Sequence, residues 1–221
     1  MAQREAKGTV VVLDLDDTLY KEADYHASGL AEVCRWIDAL YNKSVTEELD
    51  KLRESGEKDL LAGLCRLVGL PLSVKESLLW VYRLHQPAIN LSAKAAEFLK
   101  HLESNHQVAI LTDGRSISQR LKLKSLGLSH LPVYISEEHG SDKPSPVRFE
   151  LIMREIPAER YFYIGDNLNK DFIAPNNLGW KTVCLRDDGR NIHRQDLTKL
   201  SSNQFPSHWI DSLHEFFHLV C

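Results

Sequence analysis

The segment Val10-Val-Val-Leu-Asp-Leu-Asp-Asp-Thr-Leu-Tyr20 brings three carboxylates and a hydroxyl to the end of an apolar run. Like charges gathered this tightly repel. At about 4 Å and an effective dielectric near 20, each pair costs roughly 4 kcal/mol. A chain that gathers them has a cation to hold, and hard oxygen ligands suit Mg²⁺. In extended backbone, residues two apart point the same way, so Asp14 and Asp16 can share a site while Asp17 points elsewhere. Further along stand Thr112 in Thr112-Asp-Gly114, Lys143 in Asp142-Lys-Pro-Ser-Pro, and Asp166 after Gly165 with Asp171 five residues on. Each of these alone has an ordinary reading, because Asp favours turns and caps and a single Lys is usually solvated.

The elements that must position these groups follow from the apolar pattern. Val10 to Leu13 reads as a buried parallel strand, and ligand sites of open α/β sheets lie at the carboxyl edge of such strands. From about residue 24 to 86 the spacing is helical: Leu30, Val33, Cys34, Ile37, Leu40 and Tyr41; then Leu60, Leu61, Leu64, Leu67 and Val68; then Val74, Leu78, Leu79 and Tyr82. From Ser92 onward helix and strand alternate. Strands are expected at Gln107–Leu111, Pro132–Ile135, Arg160–Ile164 and Lys181–Leu185. Helices are expected at Lys94–Leu102, Ile117–Leu126, Pro146–Arg154 and Phe172–Leu178, with a closing helix over Trp209–Val220. Regular βαβα alternation means a parallel sheet with helices on both faces. The helical stretch is then an insertion after the first strand, and the polar stretch from Arg186 to His208 is expected to be irregular.

Taken together, the residues resemble the four signature motifs of the haloacid dehalogenase-like (HAD) superfamily. DxDx[TV] is met by Asp14-Leu-Asp16-Asp-Thr18, the Ser/Thr after the second strand by Thr112, the Lys before a helix by Lys143, and GDxxxxD by Gly165-Asp166-Asn-Leu-Asn-Lys-Asp171. The resemblance implies an α/β fold, a Rossmann-like parallel sheet of order 5-4-1-2-3. Residues 1–19 and 91–221 would form the catalytic core. Residues 20–90 would form a helical cap of the C1 type, hinged near Tyr20 and Leu91.

The resemblance also implies the chemistry. Asp14 is the nucleophile of an aspartyl-phosphate mechanism. Mg²⁺ is held by Asp14, the backbone carbonyl of Asp16 and Asp166, with Asp171 as a further ligand or anchor. Thr112, the Asp113 backbone and Lys143 bind the phosphoryl oxygens. Asp16 is the acid–base that marks a phosphatase or phosphomutase rather than a dehalogenase, and Asp17 is structural. Many relatives carry Asn where Asp113 stands, so the job of that side chain is open. Tyr20, Lys21, Tyr25 and Arg115 are the candidates for substrate specificity. The expected activity is a Mg²⁺-dependent phosphomonoesterase acting on a sugar phosphate or a nucleoside monophosphate. The alternatives are a β-phosphoglucomutase-like phosphomutase and a catalytically silent HAD-like binding or regulatory domain.

Composition excludes other classes. Over 221 residues the formal net charge is −4, which gives no electrostatic case for a nucleic acid polymer as partner. No apolar stretch is long enough to span a bilayer, and the first seven residues contain no signal region, so a cytoplasmic enzyme without a membrane partner is expected. Cys34, Cys65, Cys184 and Cys221 are scattered and read as reduced thiols. His214-Glu-Phe-Phe-His218 matches HExxH, but Phe216 and Phe217 read as core anchors, and the motif sits too near the chain end for a further ligand.

Overall fold

The structure is a computed structural model describing residues 8–220; Cys221 and the N-terminal seven residues lie outside the described residues. It separates into two compact units, one formed by the chain up to Ala23 and from Asn90 onward, the other by Asp24–Ile89.

The first unit is built on a six-stranded parallel sheet. β1 (Thr9–Leu13) is buried at all five positions, as a run without alternation requires when both faces are covered. The second unit is helical: α1 (Glu22–Tyr41, entering from the first unit), α2 (Thr46–Glu54), α3 (Leu60–Leu67) and α4 (Val74–Leu84). Leu30, Val33, Ile37, Leu49, Leu64 and Leu78 pack into its own core. The helix α2 was not expected; its mostly polar sequence buries only Leu49 and carries no apolar stripe.

The chain then alternates through α5 (Ala93–Asn105), β2 (Gln107–Thr112), α6 (Ser116–Ser125), β3 (Val133–Ile135), α7 (Ser136–His139), α8 (Val147–Glu155), β4 (Arg160–Gly165), α9 (Ile173–Asn177) and β5 (Lys181–Leu185). Ser92 caps α5 by accepting the Ala95 N–H at 3.1 Å. The sheet order is β3-β2-β1-β4-β5-β6, with β1 parallel to both β2 and β4. The expected order 5-4-1-2-3 is therefore extended by a sixth strand. β6 (His208–Ile210) pairs with β5, Cys184 standing opposite Trp209. The expected closing helix over Trp209–Val220 is accordingly corrected. Its first residues form the edge strand, followed by a 3₁₀ turn at Leu213–Phe216 and the short α10 (Phe217–Val220). Phe216 is fully buried and sets its ring against Phe98 and Phe162, so these three rings anchor this segment without a long helix.

One buried cation ties the loops at the carboxyl edge together. Arg148 of α8 has no exposed surface. It donates to the carbonyls of Thr112 at 2.8 Å and Tyr134 at 3.2 Å, where β2 and β3 end, and to the Asp113 carboxylate. Asp113 also accepts the backbone N–H of Lys143 at 3.2 Å and meets Lys170 at 3.3 Å. Burial pushes the Asp113 carboxyl up, but the lysines and Arg148 outweigh it and hold it below the usual range. The Asp113 side chain thus fastens the Lys143 loop to the end of β2. Removing one partner of such a pair leaves a buried charge uncompensated. Arg148→Met should lower unfolding stability by about 3 kcal/mol, seen as a drop in the urea midpoint at constant m.

Candidate active site

Beyond its last paired residue, β1 continues to Asp14, whose N–H donates to the Ile164 carbonyl at 2.8 Å. Asp14 therefore lies beside Gly165 at the end of β4, where the chain order reverses. Asp14, Asp166 and Asp171 are buried, and each offers a carboxylate oxygen within 4.8 Å of the others. Glycine at 165 is a spatial necessity: a Cβ there would meet Asp171 Oδ2 at 2.5 Å. Asp171 comes this close because its carboxylate accepts the N–H groups of Asp166 at 3.1 Å and Asn167 at 2.8 Å.

Lys143 is the countercharge. Its Nζ lies 2.6 Å from Asp14 Oδ1, 2.7 Å from Asp171 Oδ1 and 3.0 Å from the Tyr163 hydroxyl. Burial works against its charge, yet Asp14 and Asp171 outweigh burial and hold the ammonium firmly protonated. One ammonium does not balance three carboxylates. Burial, opposed by Lys143 and reinforced by Asp171, pushes Asp14 up to about 7. Burial and the charges of Asp171, Asp14 and Asp17 push Asp166 up to about 9. A divalent cation held among these oxygens would offset that cost, and an all-oxygen donor set suits Mg²⁺.

Asp16 is directed differently. Its carboxylate is not in that group; it accepts from Lys122 at 2.7 Å, from Gln119 at 3.1 Å and from the Tyr20 hydroxyl. Burial would raise its pKa, but the Lys122 charge and these hydrogen bonds hold it below the ordinary value. Gly114 must be glycine, at φ +143° and with Gln119 packed where a Cβ would stand. Asp17, at φ +57°, accepts the N–H groups of Glu22 at 2.9 Å and Ile192 at 2.7 Å, which joins the β1 turn to the loop after β5. From that loop Asn191 donates to Asp166 Oδ2 at 3.0 Å.

The specificity candidates divide. Tyr20 contacts Asp16. Lys21 pairs with Asp188 at 2.8 Å and donates to Asn191 at 2.7 Å. Arg115 pairs with Glu137 at 2.7 Å and lines a cleft of about 770 Å³ together with Asp113, Lys143 and Lys170. Tyr25 is buried in the helical unit, its ring 5.7 Å from Tyr82 and 5.1 Å from His85. Sequence reasoning missed Gln119, Lys122, Arg148, Tyr163 and Asn191. A signal existed for the first two: Ser118, Gln119 and Lys122 share the buried face of α6 with Leu123, so the inward stripe is polar at one end. No such signal marks Asn191, which sits in a polar loop.

The Thr112 hydroxyl is buried and has no hydrogen-bond partner among the described residues. Buried hydroxyls are normally paired, and a phosphoryl oxygen would satisfy this one. Thr112→Val should therefore leave the urea midpoint unchanged or raised, while weakening inhibition by orthovanadate about tenfold. A large loss of stability would instead reveal a partner within the fold.

A family model described as haloacid dehalogenase-like hydrolase matches residues 9–179. Glyceraldehyde 3-phosphate phosphatase of Methanopyrus kandleri is 33% identical over 53% of this chain, a match spanning 51% of that protein's length. The enzyme of the same name from Methanocaldococcus jannaschii is 24% identical over 95% of this chain and 96% of its own. The pyrimidine 5'-nucleotidase YjjG of Escherichia coli is 27% identical over 58% of this chain and 55% of its own length. Among solved structures, the HAD hydrolase YfnB of Bacillus subtilis bound to magnesium superposes with a TM-score of 0.66 at 18% identity, covering 97% of this chain and 99% of its own. With the four motifs converging on one sheet edge and the family model spanning most of the residues, the chain belongs to the haloacid dehalogenase-like hydrolases.

Proposed function

We propose that the protein is a Mg²⁺-dependent phosphomonoesterase that hydrolyses a small phosphorylated metabolite through an aspartyl-phosphate on Asp14. The observation that carries this reading is one juxtaposition. Lys143 Nζ bridges the buried carboxylates of Asp14 and Asp171, which cluster with Asp166, and the Thr112 hydroxyl, at the end of the adjacent strand β2, is left without a partner among the described residues.

Asp14 attacks phosphorus, which splits one hard displacement into two easier ones. Lys143 and Thr112 donate to the phosphoryl oxygens, and Lys143 is already placed on the nucleophile by its 2.6 Å contact. Asp16 gives a proton to the leaving oxygen and takes one from the attacking water. The carboxylates of Asp14 and Asp166 with the Asp16 carbonyl would hold Mg²⁺, and Asp171 would anchor the loop that carries Asp166. Bound there, the ion supplies the positive charge that lets an anionic nucleophile approach an anionic phosphate.

The relatives' names support a sugar phosphate of triose size, with a nucleoside monophosphate as the competing substrate class. A phosphate-release screen over sugar phosphates and nucleoside monophosphates with Mg²⁺ should find turnover in one class. Transfer of the phosphoryl group to a sugar, without release of phosphate, would show a mutase instead. Asp14→Asn should lower turnover at least about thousandfold while the variant still unfolds cooperatively. EDTA should abolish phosphate release and added Mg²⁺ should restore it; restoration by Zn²⁺ alone would contradict the oxygen-ligand argument.

A further inference from the structure

Two buried lysines divide the two aspartates that β1 presents. Lys143 takes Asp14, and Lys122 takes Asp16. The Lys122 side chain is 4% exposed, although it sits near the end of a helix where a solvated position would be cheap. An ammonium held out of water costs several kcal/mol unless it is paired. Here the pairing is with Oδ1 of Asp16 at 2.7 Å. Gln119, one turn earlier on the same face of α6, donates to the other oxygen at 3.1 Å, and Tyr20 donates to Oδ1. Both oxygens of Asp16 are thereby engaged from two separate elements, and its side-chain orientation is set by them.

We propose that Lys122 is the positioning residue of Asp16, fixing the orientation of its carboxylate together with Gln119 and Tyr20. The proposal rests on the reading of Asp16 as the acid–base group. In the transfer step the bond from phosphorus to the leaving oxygen breaks, a bond from phosphorus to an Asp14 oxygen forms, and the proton that Asp16 took from water in the preceding turnover goes to the leaving oxygen. Asp16 is thereby returned to the carboxylate that Lys122, Gln119 and Tyr20 hold in the structure. In the hydrolysis step the water oxygen bonds to phosphorus, the Asp14–phosphorus bond breaks, and a water proton returns to Asp16.

The test is dependence on the leaving group. An alkyl phosphate needs a proton on its departing oxygen, whereas p-nitrophenyl phosphate departs without one. Lys122→Met should lower kcat/KM for the alkyl ester about 30-fold and for p-nitrophenyl phosphate by less than about threefold. Its kcat should fall for both esters, because hydrolysis of the aspartyl-phosphate still needs the base. Lys122→Gln, neutral but able to hydrogen-bond, should show the same selectivity and stands in if the Met variant does not fold. The shift of thermal midpoint produced by Mg²⁺ should match that of the wild type. Equal losses of kcat/KM on the two esters, or no loss of kcat/KM on the alkyl ester, would overturn the assignment. Asp16→Asn separates the two readings. If it too lacks leaving-group selectivity, the acid–base reading of Asp16 falls; if it is selective and the Lys122 variants are not, only the role of Lys122 falls.

Discussion

Repulsion among the carboxylates at the carboxyl ends of β1 and β4 is the constraint around which this molecule is arranged. Asp14, Asp166 and Asp171 share a space under 5 Å across, away from water. Left alone, such a group would take up protons and lose the charge that makes it useful, as the raised values of Asp14 and Asp166 indicate. The structure answers with one buried ammonium and two backbone N–H groups on Asp171, and the clustered oxygens would suit a divalent cation. The fixed glycine at 165 follows from the same crowding, since the Asp171 carboxylate occupies the volume a side chain would need.

The same logic extends outward, one donor set to each acid. Asp113 is balanced by Arg148 and Lys170, Asp16 by Lys122, and Asp17 by the backbone of two loops. These pairings have a mechanical consequence. Lys143 is held from two sides, by its own ion pairs with Asp14 and Asp171 and by the Asp113 carboxylate on its backbone. Such fixity is what the proposed role of Lys143 in binding a phosphoryl group would require, because in phosphoryl transfer the protein contributes mainly position and charge. The Asp113 charge, although it borders the cleft, is neutralised by Arg148 and Lys170.

Much of the fold was legible from periodicity. The strand Thr9–Leu13 and its neighbours announced themselves through unbroken apolar runs, and the helices of the second unit through spacing. What escaped was local in a different way. The helix α2 has almost no apolar stripe. The edge strand His208–Ile210 is three residues long and owes its existence to the vacant side of β5, which no window of residues 200–215 can reveal.

For the site, the candidate residues stood out because their types and spacing match the motifs of the family. Asp14, Asp16, Thr112, Lys143, Asp166 and Asp171 are such residues, and the sequence by itself determined their order along the chain and the family to which they point. The tertiary structure alone decided which partner each one keeps. Asp16 and Lys122 are 106 residues apart, and Asp113 and Arg148 are 35 apart. A buried lysine and a solvated one are identical in a string of letters. Only folding removes the water around Lys122 and Arg148, and it is the loss of that water that makes a nearby carboxylate obligatory.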